Sequence, residues 1–96
     1  MVQGIKVIKP TKQQLEQLSV DRWSPWSCEV SSFDWSYEGT ETCYFHEGRV
    51  TVTTADGSVD FGAGDLVQFA DGLSCRWEVK VPVRKVYSFD VDDVDD

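Results

Sequence analysis

From Phe33 to Phe89 the chain is cut into short segments rich in threonine, valine and aromatic residues, with a turn signal about every ten residues. The segments are "TETCYF", "RVTVTT", "LVQF", "SCRWEVKV" and "RKVYSF", and the signals between them are "HEG", Asp56-Gly57, "FGAGD", "ADGL" and Pro82. Such spacing leaves no room for the crossover helix that parallel strands need. It therefore predicts an all-β sandwich or barrel. Asp56-Gly57 suits a type I′ hairpin, whose two central residues both need positive φ. "GAGD" lacks the Lys-Ser/Thr pair and the helix of a phosphate loop, and is read as a turn.

Before Phe33 the pattern differs. "GIKVIK" reads as a short strand stopped by Pro10. "TKQQLEQL" carries a capping box, with Thr11 as N-cap and Gln14 three residues on, and predicts a short helix turning Leu15 and Leu18 inward. "DRWSPWSCEVSS" has Pro25 between two tryptophans and is read as an irregular crossing that covers one side of the body. With 96 residues the expectation is one domain over 1–89, followed by an acidic, disordered tail over 90–96. That tail holds five of the 17 acidic residues and accounts for most of the −8 formal charge. The remainder is nearly balanced, so neither nucleic acid nor an anionic membrane is an expected partner. No apolar run nears the ~20 residues of a membrane-spanning helix, and the N-terminus has no targeting pattern. Cys28, Cys43 and Cys75 read as free thiols of a reducing, cytoplasmic compartment, not as a disulfide frame.

Two groups of residues share a register. Trp35 and Tyr37 flank one residue; Glu41 follows after three more and Gly48 after a further six. Later, Gly64 is followed after five residues by Ala70, then by Gly72 and Cys75. This spacing resembles the two motifs of the cupin family, with Trp35, Tyr37 and Cys75 standing where cupins carry metal-binding histidines and Ala70 where they carry proline. Across about Val20 to Phe89, "FDWSYEGTETCY" and "GDLVQFADGLSCRWEVKVPVRKVY" are similar to small single-domain cupins related to the cupin domain of ureidoglycine aminohydrolase. The resemblance implies a small RmlC-like jelly-roll barrel, a double-stranded β-helix. Enzymes of the ureidoglycine aminohydrolase type use manganese.

The substitutions remove most of that metal chemistry. Tryptophan offers no metal-binding lone pair, and tyrosine ligates well only as phenolate. Glu41, Cys75 and Tyr37 are the ligands left if any metal binds, and they make a weak, mixed set; no metal cofactor is expected. Strand parity places Glu41, Cys43 and Phe45 on one face and turns Tyr44 and His46 outward. The same parity pairs Cys75 with Trp77, and Trp35 with Tyr37. The expected pocket is thus Trp35, Tyr37, Glu41, Cys43, Cys75 and Trp77, with Glu41 the candidate acid/base. Both thiols also suit plain packing, and the two motif aromatics could fill the barrel completely. A buried Glu41 needs a partner, for which Tyr37 Oη, Arg76 and Arg84 are the candidates; alternation lets one of Arg84 and Lys85 face inward. Three functions follow from these readings. The first is binding of a small organic molecule in the barrel. The second is a metal-dependent enzyme resembling ureidoglycine aminohydrolase, and the third a filled structural module. A homodimer is expected from open sheet edges, with "GIKVIK" placed to lie across a partner's sheet.

Overall fold

A computed structural model describes residues 2–92 and 94. Among the described residues there are seven strands: β1 (Ile5–Ile8), β2 (Ser24–Cys28), β3 (Ser31–Ser36), β4 (Glu41–Thr54), β5 (Gly57–Gly62), β6 (Leu66–Phe69) and β7 (Ser74–Ser88). Helix α1 (Lys12–Gln17) and a 3₁₀ turn at Val20–Arg22 separate β1 from β2. All strand pairs are antiparallel. This is the predicted all-β jelly roll with a short N-terminal strand and helical turn. No helix is long and apolar enough to cross a membrane among the described residues.

Two long strands build both layers. The first half of β4 pairs with β6, and its second half with β5. The C-terminal half of β7 pairs with β2, and its N-terminal half with β3. Because β4 also pairs with β7 along most of its length, the two strands run from one sheet into the other. The sequence pattern divides each of them, at "HEG" and at Pro82. In the structure those points lie within continuous strands of 14 and 15 residues. Gly48 is where β4 bulges, with register shifts on either side. It has φ +111°, and a Cβ there would lie 2.7 Å from Val83 Cα and 2.8 Å from the Pro82 carbonyl oxygen. The glycine thus serves a bulge pressed against β7 and not the turn expected of it.

The hairpin between β4 and β5 also shifts. Thr54 pairs with Gly57, so the loop residues are Ala55 and Asp56. Neither has positive φ, whereas Gly57 has φ +133°, and this rules out a type I′ turn at Asp56-Gly57. The capping box forms as read, with Gln14 N–H donating to Thr11 Oγ1 and Thr11 N–H to Gln14 Oε1. Leu15 and Leu18 are only half-buried on that helix. "GIKVIK" pairs with β6 of its own chain, Ile5 opposite Phe69, and stands at the end of the strand order.

The principal core lies between the sheets and is dominated by Phe45, Phe61, Phe69 and Trp77 with valines 50, 52, 67 and 79. A smaller cluster forms outside it around Ile8 and Leu66. Val94, from the segment read as a disordered tail, is buried there with Val91 beside it. Gln68 secures this stretch: its Nε2 donates to Thr42 Oγ1 and to the Asp92 carbonyl, while its Oε1 accepts from Val94 N–H. Charge alone predicts a solvated tail, but Val91 and Val94 find an apolar face; Asp93, Asp95 and Asp96 lie outside the described residues.

Candidate ligand-binding site

One end of the barrel opens as a cavity of about 190 Å³, lined by Trp26, Phe33, Trp35, Tyr37, Trp77, Tyr87 and Phe89, with Glu41 and Lys85 as its charged members. The local chain explains each placement. Glu41 opens β4 and faces inward with Cys43 and Phe45, as parity predicts, while His46 faces solvent against Tyr44. Tyr37 is held by its backbone: its N–H donates to the Leu73 carbonyl, and its own carbonyl accepts from Gly72 N–H. Its ring stacks on Phe69 at 4.6 Å, and its hydroxyl accepts from Trp77 Nε1 at 3.2 Å. Trp77 is the central ring, stacked on Phe33 at 5.9 Å and met edge-on by Trp26 at 5.9 Å.

Lys85 is the residue that sequence reasoning left out of the site. It is 5% exposed, and its Nζ lies 3.0 Å from Glu41 Oε2 and 3.3 Å from Cys43 Sγ. The ammonium also sits 4.8 Å from the Trp26 ring centroid and 4.9 Å from that of Trp77, within range of a cation–π attraction. The expected partners of Glu41 are engaged elsewhere. Arg76 pairs with Asp34 and Arg84 with Glu47 on the surface, and the Tyr37 hydroxyl accepts from Trp77 and makes no hydrogen bond to Glu41. The signal was available: counting by twos along β7 from Cys75 and Trp77 reaches Lys85, and Pro82 does not reset the alternation.

The remaining predicted residues divide between wall and backing. Trp35 is 51% exposed, so it forms the rim of the cavity, edge-on to Tyr37 at 6.5 Å, and does not fill the barrel. Cys43 is fully buried beneath Glu41, to whose Oε2 it donates at 3.0 Å. Cys75 directs its thiol to the Trp35 carbonyl at 3.6 Å. Neither cysteine lines the cavity. Trp26, Phe33, Tyr87 and Phe89 join the site because β2, β3 and the end of β7 converge there.

Burial governs the ionisation of these groups. It pushes the Cys43 thiol well up; Glu41 adds to the shift, and the nearby Lys85 ammonium opposes it. Burial likewise pushes the Tyr37 phenol well up, reinforced by Cys43, Glu41 and Cys75. Both are therefore neutral at pH 7, and the Cys43 S–H is available to donate to Glu41. An alkaline instability follows. The unfolded chain releases these protons near the ordinary values of 9.0 and 10.0, while the native state retains them. Above about pH 9 the native state binds more protons than the unfolded one, so stability falls as pH rises, by up to ~1.4 kcal/mol per pH unit for each group. Urea midpoints between pH 8 and 11 should show this fall. Cys43→Ala and Tyr37→Phe should each flatten it, and an unchanged slope in both would assign it to other groups.

The donor set does not fit a cupin metal. Trp35 has no ligating atom, Tyr37 is held as the neutral phenol, and the Cys75 thiol is raised by burial and turned to a backbone carbonyl. Glu41 already meets an ammonium at 3.0 Å, which opposes a second cation at the same oxygen. Among the described residues no group of three or more His, Cys, Asp or Glu side chains is placed to hold a metal ion.

Comparison with known proteins agrees with this architecture. The family model described as the EutQ-like cupin domain matches residues 15–87. The chain belongs to that family. A crystal structure of a DUF861 family protein from Thermotoga maritima is 52% identical to this cupin, covering 88% of this chain and 98% of that one, with a TM-score of 0.86. The EutQ protein of Clostridium difficile shares the fold at 21% identity, over 66% of this chain and 50% of its own, with a TM-score of 0.61. A DUF1255 protein from Acidithiobacillus ferrooxidans does so at 23% identity, over 65% and 60%, also with a TM-score of 0.61. No curated protein matches this cupin.

Proposed function

We propose that this cupin binds a small organic molecule in its aromatic cavity, without a histidine metal centre. The observation that carries the reading is the convergence of seven aromatic residues on one buried Glu41–Lys85 pair in an open-ended cavity. An apolar concavity with a few convergent polar groups is the usual form of a small-ligand site. Trp77, Phe33 and Trp26 offer stacking faces, Trp35 and Phe89 guard the entrance, and the ion pair supplies polar orientation. On this reading, kinship with the ureidoglycine aminohydrolase cupin is a shared frame without its metal chemistry.

Two measurements test this. Elemental analysis of protein dialysed after purification should find manganese, iron, zinc and nickel far below one per chain; a retained stoichiometric metal overturns the metal-free part. A screen of single-ring aromatic fragments by protein NMR should shift the indole N–H signals of Trp26 and Trp77 while leaving Trp23 unmoved. A folded protein whose indole signals respond to none of the fragments does not use the cavity in this way.

A further inference from the structure

The floor of the cavity carries an acceptor on Glu41 and a donor on Lys85 that the protein leaves without a hydrogen-bond partner, with the Tyr37 O–H, which only accepts from Trp77, as a further donor in the lining. Glu41 Oε2 accepts from both Lys85 Nζ and Cys43 Sγ, but no donor among the described residues reaches Glu41 Oε1. The residue is only 7% exposed, yet among the described residues no fully enclosed side-chain nitrogen or oxygen lacks a hydrogen bond. Oε1 is therefore the part of this buried carboxylate that remains open, and Glu41 lines the cavity. An ammonium has three N–H donors. Lys85 uses one on Glu41 and one on Cys43; the third meets no nitrogen, oxygen or sulfur acceptor among the described residues, only the weaker ring faces of Trp26 and Trp77. Lys85 lines the same cavity.

From this pairing we infer that the ligand is a flat, neutral molecule bearing an amide-type edge, a primary carboxamide or a ring lactam. The inference rests on the cavity being the ligand site. The amide N–H donates to Glu41 Oε1, and its carbonyl accepts from the third N–H of Lys85. The two partners belong to one ion pair, so their free positions are neighbours, as the nitrogen and oxygen of an amide are. Competing head groups fail on one side. A carboxylate meets Lys85 well but places a second anion against Oε1. An ammonium satisfies Oε1 but brings a second cation to Lys85 and has no acceptor to offer it. A purely apolar ring leaves both buried groups unsolvated, which costs more than its stacking returns. The volume bounds the body of the ligand. At about 190 Å³ the cavity is smaller than the roughly 300–1,000 Å³ of drug-sized sites, so one or two rings fill it. Those rings lie among Trp77, Phe33 and Trp26, whose faces accept a flat, delocalised partner.

Benzamide, benzoate and benzylamine share one ring and differ in the head group, which makes them direct probes. Calorimetric titration of the intact wild-type protein at pH 7 should rank benzamide at least tenfold tighter than either of the others. Benzoate or benzylamine binding as tightly as benzamide overturns the amide assignment while leaving the cavity as a ligand site. Failure of all three to bind overturns both. Trp35→Ala, at a half-exposed rim position, should weaken benzamide several-fold without unfolding the protein; unchanged affinity there would put benzamide outside this cavity and overturn the assignment. In Glu41→Gln the anionic Oε1 is gone, so the discrimination against benzoate should collapse. Its persistence in a folded variant would overturn the role given to Oε1. Should that variant not fold, the wild-type ranking and Trp35→Ala decide the matter without it.

Discussion

Lys85→Met is expected to destabilise this cupin by about 3–5 kcal/mol, the range for breaking a buried ion pair from one side. The lost attraction is not the main cause. Methionine roughly preserves the volume of the lysine stem, but Glu41 is left as a buried anion at the aromatic cavity, with only the Cys43 thiol donating to it. Removing both charges together should cost much less, because Glu41→Gln in the same background leaves no uncompensated ion. The double variant Glu41→Gln/Lys85→Met is thus expected to be more stable than Lys85→Met alone. Urea denaturation of the four proteins in the cycle measures this coupling. Strictly additive losses would mean that the two groups do not depend on each other in the folded state. The pair is then retained for what it presents to the cavity more than for net stability.

Trp77→Ala should produce a loss of similar size, about 3–5 kcal/mol. Trp77 is 2% exposed and lies within 6.3 Å, centroid to centroid, of Trp26, Phe33, Phe45, Phe61 and Phe69. Alanine opens a void at the meeting point of both sheets and strips the Tyr37 hydroxyl of its donor. Trp35→Ala provides the contrast. Its ring is half in solvent at the rim, so the same change of residue type should alter stability by only about 0.5 kcal/mol. Thermal and urea unfolding of the two variants should separate them clearly. Comparable losses would mean that Trp35 carries core packing and that the cavity is narrower than described.

Alternation carried the sequence reading a long way in this protein. It put Glu41, Cys43 and Phe45 inside, His46 outside, and Cys75 with Trp77 on one face, and the structure agrees at each position. The motif spacing supplied the jelly-roll frame. It misled where it treated Trp35 as equivalent to an inward-pointing histidine, since β3 runs along the rim and its Trp35 remains half-exposed. Pro25 marks "SPWSC" as irregular, yet β2 is a strand paired with the end of β7. It lies at the sheet edge, where a residue without an N–H is tolerated.

What the sequence determined by itself is therefore local: strand rhythm, the helix cap, which residues of one strand share a face, and the loss of three histidine ligands. These depend on side-chain periodicity and on chemistry that each residue carries with it. Only the tertiary structure decided that Lys85 answers Glu41 across 44 residues of chain, that Trp26 and Phe33 wall the cavity, and that Val94 docks beside Ile8. Each of these arises from pairing between distant strands or packing between distant segments. Such pairings are set by the long strands β4 and β7, whose mutual register shifts around Gly48 and whose two halves serve different neighbours, and no short-range pattern records that shift.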